Sequence, residues 1–178
     1  MKYKLTKNTK EANGITLFQI QSLKDFGNVK KEDLGGWIEK EDNLSQEGNC
    51  WVFDNAKVFD NAKVYDNAKV SGDARIFGDA LISGNAWVSG NAKVYGNAKV
   101  YGNAKVYGDA WVYGDAKVSG DAWVYGNAKV FGEANVVCEK KDIFDDFDVL
   151  SDDIEEVVIK GVRYKKVTET KTTWKKIS

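Results

Sequence analysis

The chain has 178 residues, 30% of them charged and 12% aromatic, and carries a net charge of -1. That length suits one domain or one repeat array with small appendages, and the aromatic content excludes a disordered chain. Near-neutral charge gives no overall attraction to nucleic acid or to an anionic membrane, and no apolar run approaches the roughly 18 residues that a membrane helix needs. Histidine and proline are both absent, which removes the commonest general base and metal ligand and favours uninterrupted strand ladders. Met1 to Leu5 lack the apolar core of a signal peptide. With only Cys50 and Cys138, far apart in the chain, two free thiols in a reducing cytosol are expected, and the protein is read as cytoplasmic.

Residues 1–36 read as an N-terminal β-hairpin cap. Lys2 to Thr6 and Ile15 to Gln21 alternate as strands do, Asn13-Gly14 is a hairpin turn signal, and residues 22–36 form an irregular link. From residue 37 to 138 a period of six takes over. Aliphatic residues stand at Val52, Val58, Val64, Val70, Ile76, Ile82 and then every sixth position to Val136, fifteen in all, each preceded two positions earlier by alanine or, once, by Cys50. Asp-Asn, Gly-Asn, Gly-Asp or Gly-Glu follows. Two residues two apart share one side of a strand, so the small and the branched residue point inward and the one between them points out. Gly, Asn and Asp tolerate the left-handed backbone of a sharp corner. A short strand and a corner in every unit make one side of a triangular coil, and three units close one full coil. The expectation is an all-β parallel β-helix of about five such coils. Ile38 and Leu44 keep the spacing of six, but Leu44 to Val52 is eight, which predicts an irregular opening coil with a two-residue insertion.

Sorting the outward residues by side gives three columns: Trp51, Lys69, Trp87, Lys105, Trp123; Lys57, Arg75, Lys93, Trp111, Lys129; and Lys63, Leu81, Lys99, Lys117, Asn135. Phe59, Phe77, Tyr95, Tyr113 and Phe131 add one ring per coil. Such a ladder stabilises the stack by ring contact or offers an interface. The alternating Trp–Lys column has the same two readings: lysine breaking up an apolar stripe for solubility, or a docking face. Between Cys50 and Cys138 nine basic residues face nine acidic ones, so a nucleic-acid groove is not expected.

Residues 139–178 read as a C-terminal cap. Asp142 to Val157 hold eight acids and no base, and Ile143, Phe147, Leu150, Ile154 and Val157 recur at helical spacing. This predicts an acidic amphipathic helix with Ser151 as N-cap and Asp152 and Asp153 in its first turn. Val158 to Ser178 hold seven bases and one acid, with Val157 to Val167 and Thr172 to Ile177 as a basic hairpin. The acidic segment either caps the last coil or docks on a basic partner.

The unit seen at Val94…Ala98 and Val100…Ala104 resembles the hexapeptide repeat of left-handed β-helix proteins. That resemblance implies left-handed winding and a homo-oligomer such as a trimer. The stretch Gly35-Gly36-Trp37-Ile38-Glu39 through Asn43-Leu44 to Cys50-Trp51-Val52 is similar to the opening coil of uncharacterised bacterial and phage members. The family's enzymes, acyltransferases and γ-class carbonic anhydrases, imply catalytic or zinc-binding histidines, and this chain has none to receive those roles. The expectation is therefore a non-catalytic binding or scaffold protein of phage or prophage origin, without cofactor or metal, that contacts a protein partner and inhibits a host or defence enzyme by occupying it. The expected contacts are Trp51, Trp87, Trp123, Lys69, Lys105, Trp111 and the acids Asp145, Asp146, Asp152 and Asp153. A divergent acyltransferase-like enzyme and a structural virion or surface component are the alternatives.

Overall fold

The computed structural model describes residues 1–138, 143–145, 148–149, 156–159, 162–169 and 171–177, with side chains up to residue 137. The core is a column of alanine and valine. Every alanine from Ala56 to Ala134 and every repeat aliphatic from Val52 to Val130 is buried. Two-residue strands such as Lys93–Val94 and Trp111–Val112 pair in parallel with the strand three units further on, along three separate sheets. The result is an all-β parallel solenoid of about six turns, and the coil of three units expected from the repeat is borne out.

The corners explain the Gly-Asn and Gly-Asp pairs. Gly72, Gly78, Gly84 and their successors to Gly132 have φ between 65° and 73°, where a side chain is strained. A Cβ on Gly90 would also lie 2.9 Å from both the nitrogen and the oxygen of Gly108 in the next coil. Asp54, Asp60 and Asp66 hold the same position in the first full coil at φ 53–59°. Their carboxylates accept the N–H of Gly72, Gly78 and Gly84 at 3.0–3.1 Å, which offsets the strain. The Asn beside each corner carries a second ladder. Asn49 donates to Asn67, Asn67 to Asn85, Asn85 to Asn103 and Asn103 to Asp121, all at 2.9–3.3 Å.

The opening coil is longer, as its spacing requires. Ile38 is in register with Val58, Leu44 bridges Val64, and Val52 is in register with Val70. The first two pairings therefore span two positions more than the third. Where a strand is missing on the third side, buried Asn43 replaces it, with its side-chain amide donating to the carbonyls of Asp60 and Ala62. Gly35 and Gly36 let the backbone pass against the coil above. A Cβ there would meet the carbonyl oxygens of Val52 and Ala56 at 2.6 and 2.7 Å.

Strands β1 (Tyr3–Ala12) and β2 (Ile15–Ser22) form the expected hairpin across Asn13-Gly14, both with positive φ. The hairpin is joined to the solenoid through β3 (Leu34–Ile38), which pairs antiparallel with β2 and parallel with Lys57–Val58, so it extends one of the three sheets. It also seals the open end. Lys2 is buried, and its ammonium reaches the carbonyls of Glu47 and Cys50 and the Cys50 sulfur at 3.0–3.2 Å. Burial pulls the Lys2 amine below the usual lysine range and pushes the Cys50 thiol up, so the thiol stays protonated and unreactive. The Tyr3 hydroxyl donates to the carbonyls of Glu41 and Leu44.

At the other end two expectations change. Ile143–Asp145 and Asp148–Val149 are strands in parallel register with Trp123–Tyr125 and Lys129–Val130. The stack therefore runs past residue 138, and the start of the acidic segment is not a helix. Each coil leaves backbone donors and acceptors open along its edge, and a further parallel strand satisfies them, which outweighs the helical spacing of the apolar residues. Residues 150–155, with the remainder of that expected helix, lie outside the described residues. The basic hairpin becomes a three-stranded antiparallel sheet, Glu156–Ile159, Val162–Glu169 and Lys171–Ile177. Its first strand takes up Glu156 and Val157, the last residues of the expected helix.

Candidate interaction face

The first face places Trp51, Lys69, Trp87, Lys105 and Trp123 in direct register across consecutive coils. Trp51 departs from the expected role. It is buried beneath the cap, in edge contact with Tyr3 and Phe26, because the hairpin and the 22–33 link cover the face at its first coil. It is a core residue and no partner reaches it. Trp87 is 45% exposed, with its indole N–H donating to the Ser71 hydroxyl at 3.0 Å. Lys105 lies between the two remaining rings, its ammonium 4.5 Å from the Trp123 centroid and 5.8 Å from that of Trp87. Tyr107 meets Trp123 edge-on at 6.2 Å and stacks on Tyr125 at 5.2 Å. Ring, cation and ring thus form one pre-ordered cluster on rigid strands.

Trp111 belongs to the second face, under the Lys93 ammonium at 4.3 Å and against the edge of Tyr95. The structure therefore does not bring it together with Trp87 and Trp123. The ring ladder is present as expected: Phe59, Phe77, Tyr95, Tyr113 and Phe131 stack at 4.8–5.1 Å with planes within 6° of parallel. Burial within it raises the Tyr95 phenol's pKa. Lys57, expected to point outward, is buried at the start of the second face and donates to the carbonyl of Asn55. Asp145 lies in the strand that follows the first face, while Asp146, Asp152 and Asp153 lie outside the described residues. The partners Ser71, Tyr107 and Tyr125 were missed from the sequence. Their signal was the position just after each valine of the first face.

Among the described residues no group of three His, Cys, Asp or Glu side chains is placed to hold a metal ion, and no helix is long and apolar enough to cross a membrane. The first face presents amphipathic rings with a cation held between them.

Residues 74–90 and 98–114 match the family model of the YdcK Beta solenoid repeat. The chain is similar to YdcK-like repeat proteins. The uncharacterized acetyltransferase YdcK of Escherichia coli (strain K12) is 48% identical to it over 40 residues, which is 22% of this chain and 12% of that protein. The family-model match lies in the repeat, so the hexapeptide-repeat reading is borne out, while the chain spans only a small part of that relative's length.

Proposed function

We propose that this chain is a non-catalytic binding protein that docks on a protein partner through its first face. The cluster of Trp87, Lys105 and Trp123 carries the reading. Interface hot spots favour tryptophan and tyrosine held rigidly before binding, because little side-chain freedom is then lost. A parallel solenoid supplies that rigidity. The narrower form of the proposal is a phage-encoded cytoplasmic inhibitor that blocks a host or defence enzyme by steric occupation, acting as a homo-oligomer such as a trimer.

The test compares the tagged protein with its Trp87→Ala and Trp123→Ala variants. Each is purified gently from a bacterial lysate and weighed by native mass spectrometry. A stoichiometric partner held by the parent is expected to bind each variant roughly 30-fold more weakly, the scale of a central anchor. Undiminished binding by both variants overturns the first face as the site.

A second reading has one specific support, the 40-residue likeness to a protein named an uncharacterized acetyltransferase. Saturable acetyl-CoA binding by the oligomer would favour it. Against it, the chain has no histidine for the role that the resembled acyltransferases give that residue.

A further inference from the structure

The charges of the solenoid are not spread evenly over its three edges. The edge between the first and second faces carries Asp54, Asp73 and Asp109, and that between the second and third carries Asp60, Asp79, Asp115 and Glu133. The edge between the third and first faces reads Asp66-Asn67, Gly84-Asn85, Gly102-Asn103, Gly120-Asp121. Between Asp66 and Asp121 that edge holds no acid. The gap is three coil steps, or about 14 Å at the spacing of neighbouring strands.

Bases border it on both sides. Lys63, Lys99 and Lys117, all exposed, stand on the third face, with Lys69 and Lys105 on the first. Along the edge runs the amide ladder from Asn67 to Asn103, which uses one N–H of each amide and leaves each a second donor. Trp87 at 45% and Tyr101 at 37% are the two most exposed aromatic side chains among the described residues. They flank this same strip, Trp87 two positions after Asn85 and Tyr101 two before Asn103. Exposed rings, spare amide donors and an excess of positive charge therefore coincide on one edge of the three.

The geometry points to this edge as the docking strip for a short, extended, acidic segment of the protein partner. Lysines on either side meet its carboxylates, the asparagine amides meet its backbone carbonyls, and Trp87 and Tyr101 grip its apolar stems. The length selects this occupant. About 14 Å accommodates four or five extended residues. Single-stranded nucleic acid is the poorer fit, since its binding grooves track the backbone over at least about four nucleotides and set the bases on successive rings. Here two rings stand on opposite sides of the strip, and acids close it at both ends. The inference rests on the docking function proposed above and names the chemistry of the partner at that site.

The probe is a synthetic peptide of four glutamates, titrated at low salt and followed by calorimetry and by tryptophan fluorescence, beside an oligothymidylate of equal charge. The peptide is expected to bind the parent, with affinity falling as salt is raised, and to bind the Lys99→Gln, Lys117→Gln double variant at least about fivefold more weakly. Arg75→Gln, on the second face, should leave binding unchanged. The proposal is overturned if the peptide does not bind, if the lysine variant binds it equally well, or if the oligothymidylate binds the strip more tightly. The lysate partner separates the two readings. If Trp87→Ala and Trp123→Ala release it while the lysine variant keeps it, the first face stands and the acidic strip falls. If the lysine variant and Trp87→Ala lose both peptide and partner while Trp123→Ala loses neither, the strip stands without the first-face cluster.

Discussion

At each corner a single residue must turn the chain through a left-handed backbone while the coil above passes close by. Gly90 shows both demands at φ 69°, with Gly108 backbone 2.9 Å from where its Cβ would be. Asp54, Asp60 and Asp66 show that a side chain is tolerated there when its carboxylate accepts the glycine N–H of the next coil. Two substitutions at one site separate strain from compensation. Gly90→Ala is expected to cost about 1–3 kcal/mol in urea unfolding, and Gly90→Asp less, because its carboxylate gains the N–H of Gly108 as donor. Equal losses would show that the carboxylate bond offsets nothing. The corner's need for glycine or aspartate was legible in the sequence. The acceptor role of the aspartates was not, because the donor sits a full coil further along the chain.

Among the elements, the aromatic ladder converts a period in sequence into contact in space. Phe77 and Tyr95 stack at 4.8 Å with planes 2° apart. Aromatic pairs contribute about 0.5–1.5 kcal/mol beyond their burial. A double-mutant cycle with Phe77→Leu and Tyr95→Leu is expected to give a favourable coupling in that range. Zero coupling would make the rings independent cover for the backbone. The acidic C-terminal segment gives the opposite lesson. Its apolar spacing fits a helix, yet Ile143–Asp145 continues the first sheet. Local periodicity carries no information about an open sheet edge nearby, and that edge decided the outcome.

Across the whole molecule, stability is spread over like coils that each contact only their neighbours. Removing residues 67–84 joins Asp66 to Asn85, keeps a corner pair and keeps every later residue on its own face. That variant should fold with a lower melting temperature and retain the first-face cluster of Trp87, Lys105 and Trp123. Removing only residues 67–72 also keeps the valine and alanine period, but rotates all later columns by one face. It should fold with Ser83 over Phe59, where the longer deletion brings Tyr95, a difference read in the near-ultraviolet circular dichroism. If the two deletions behave alike, the faces carry no separate meaning.

The sequence alone determined the repeat, the inward Ala and Val columns, the corners, the ring ladder and the longer opening coil. All of these follow from the alternation along a strand, the six-residue unit and its grouping in threes, which the chain states directly. The tertiary structure alone decided which outward residues face solvent. Trp51 and Trp87 occupy equivalent positions in the repeat, yet the hairpin folds back over the first, and its Tyr3 and the link's Phe26 close on the ring, while Trp87 stays open beside an acid-free edge. Exposure is settled by what packs on top of a residue, and here that cover comes from the far N-terminal part of the chain, a separation over which no local pattern reaches.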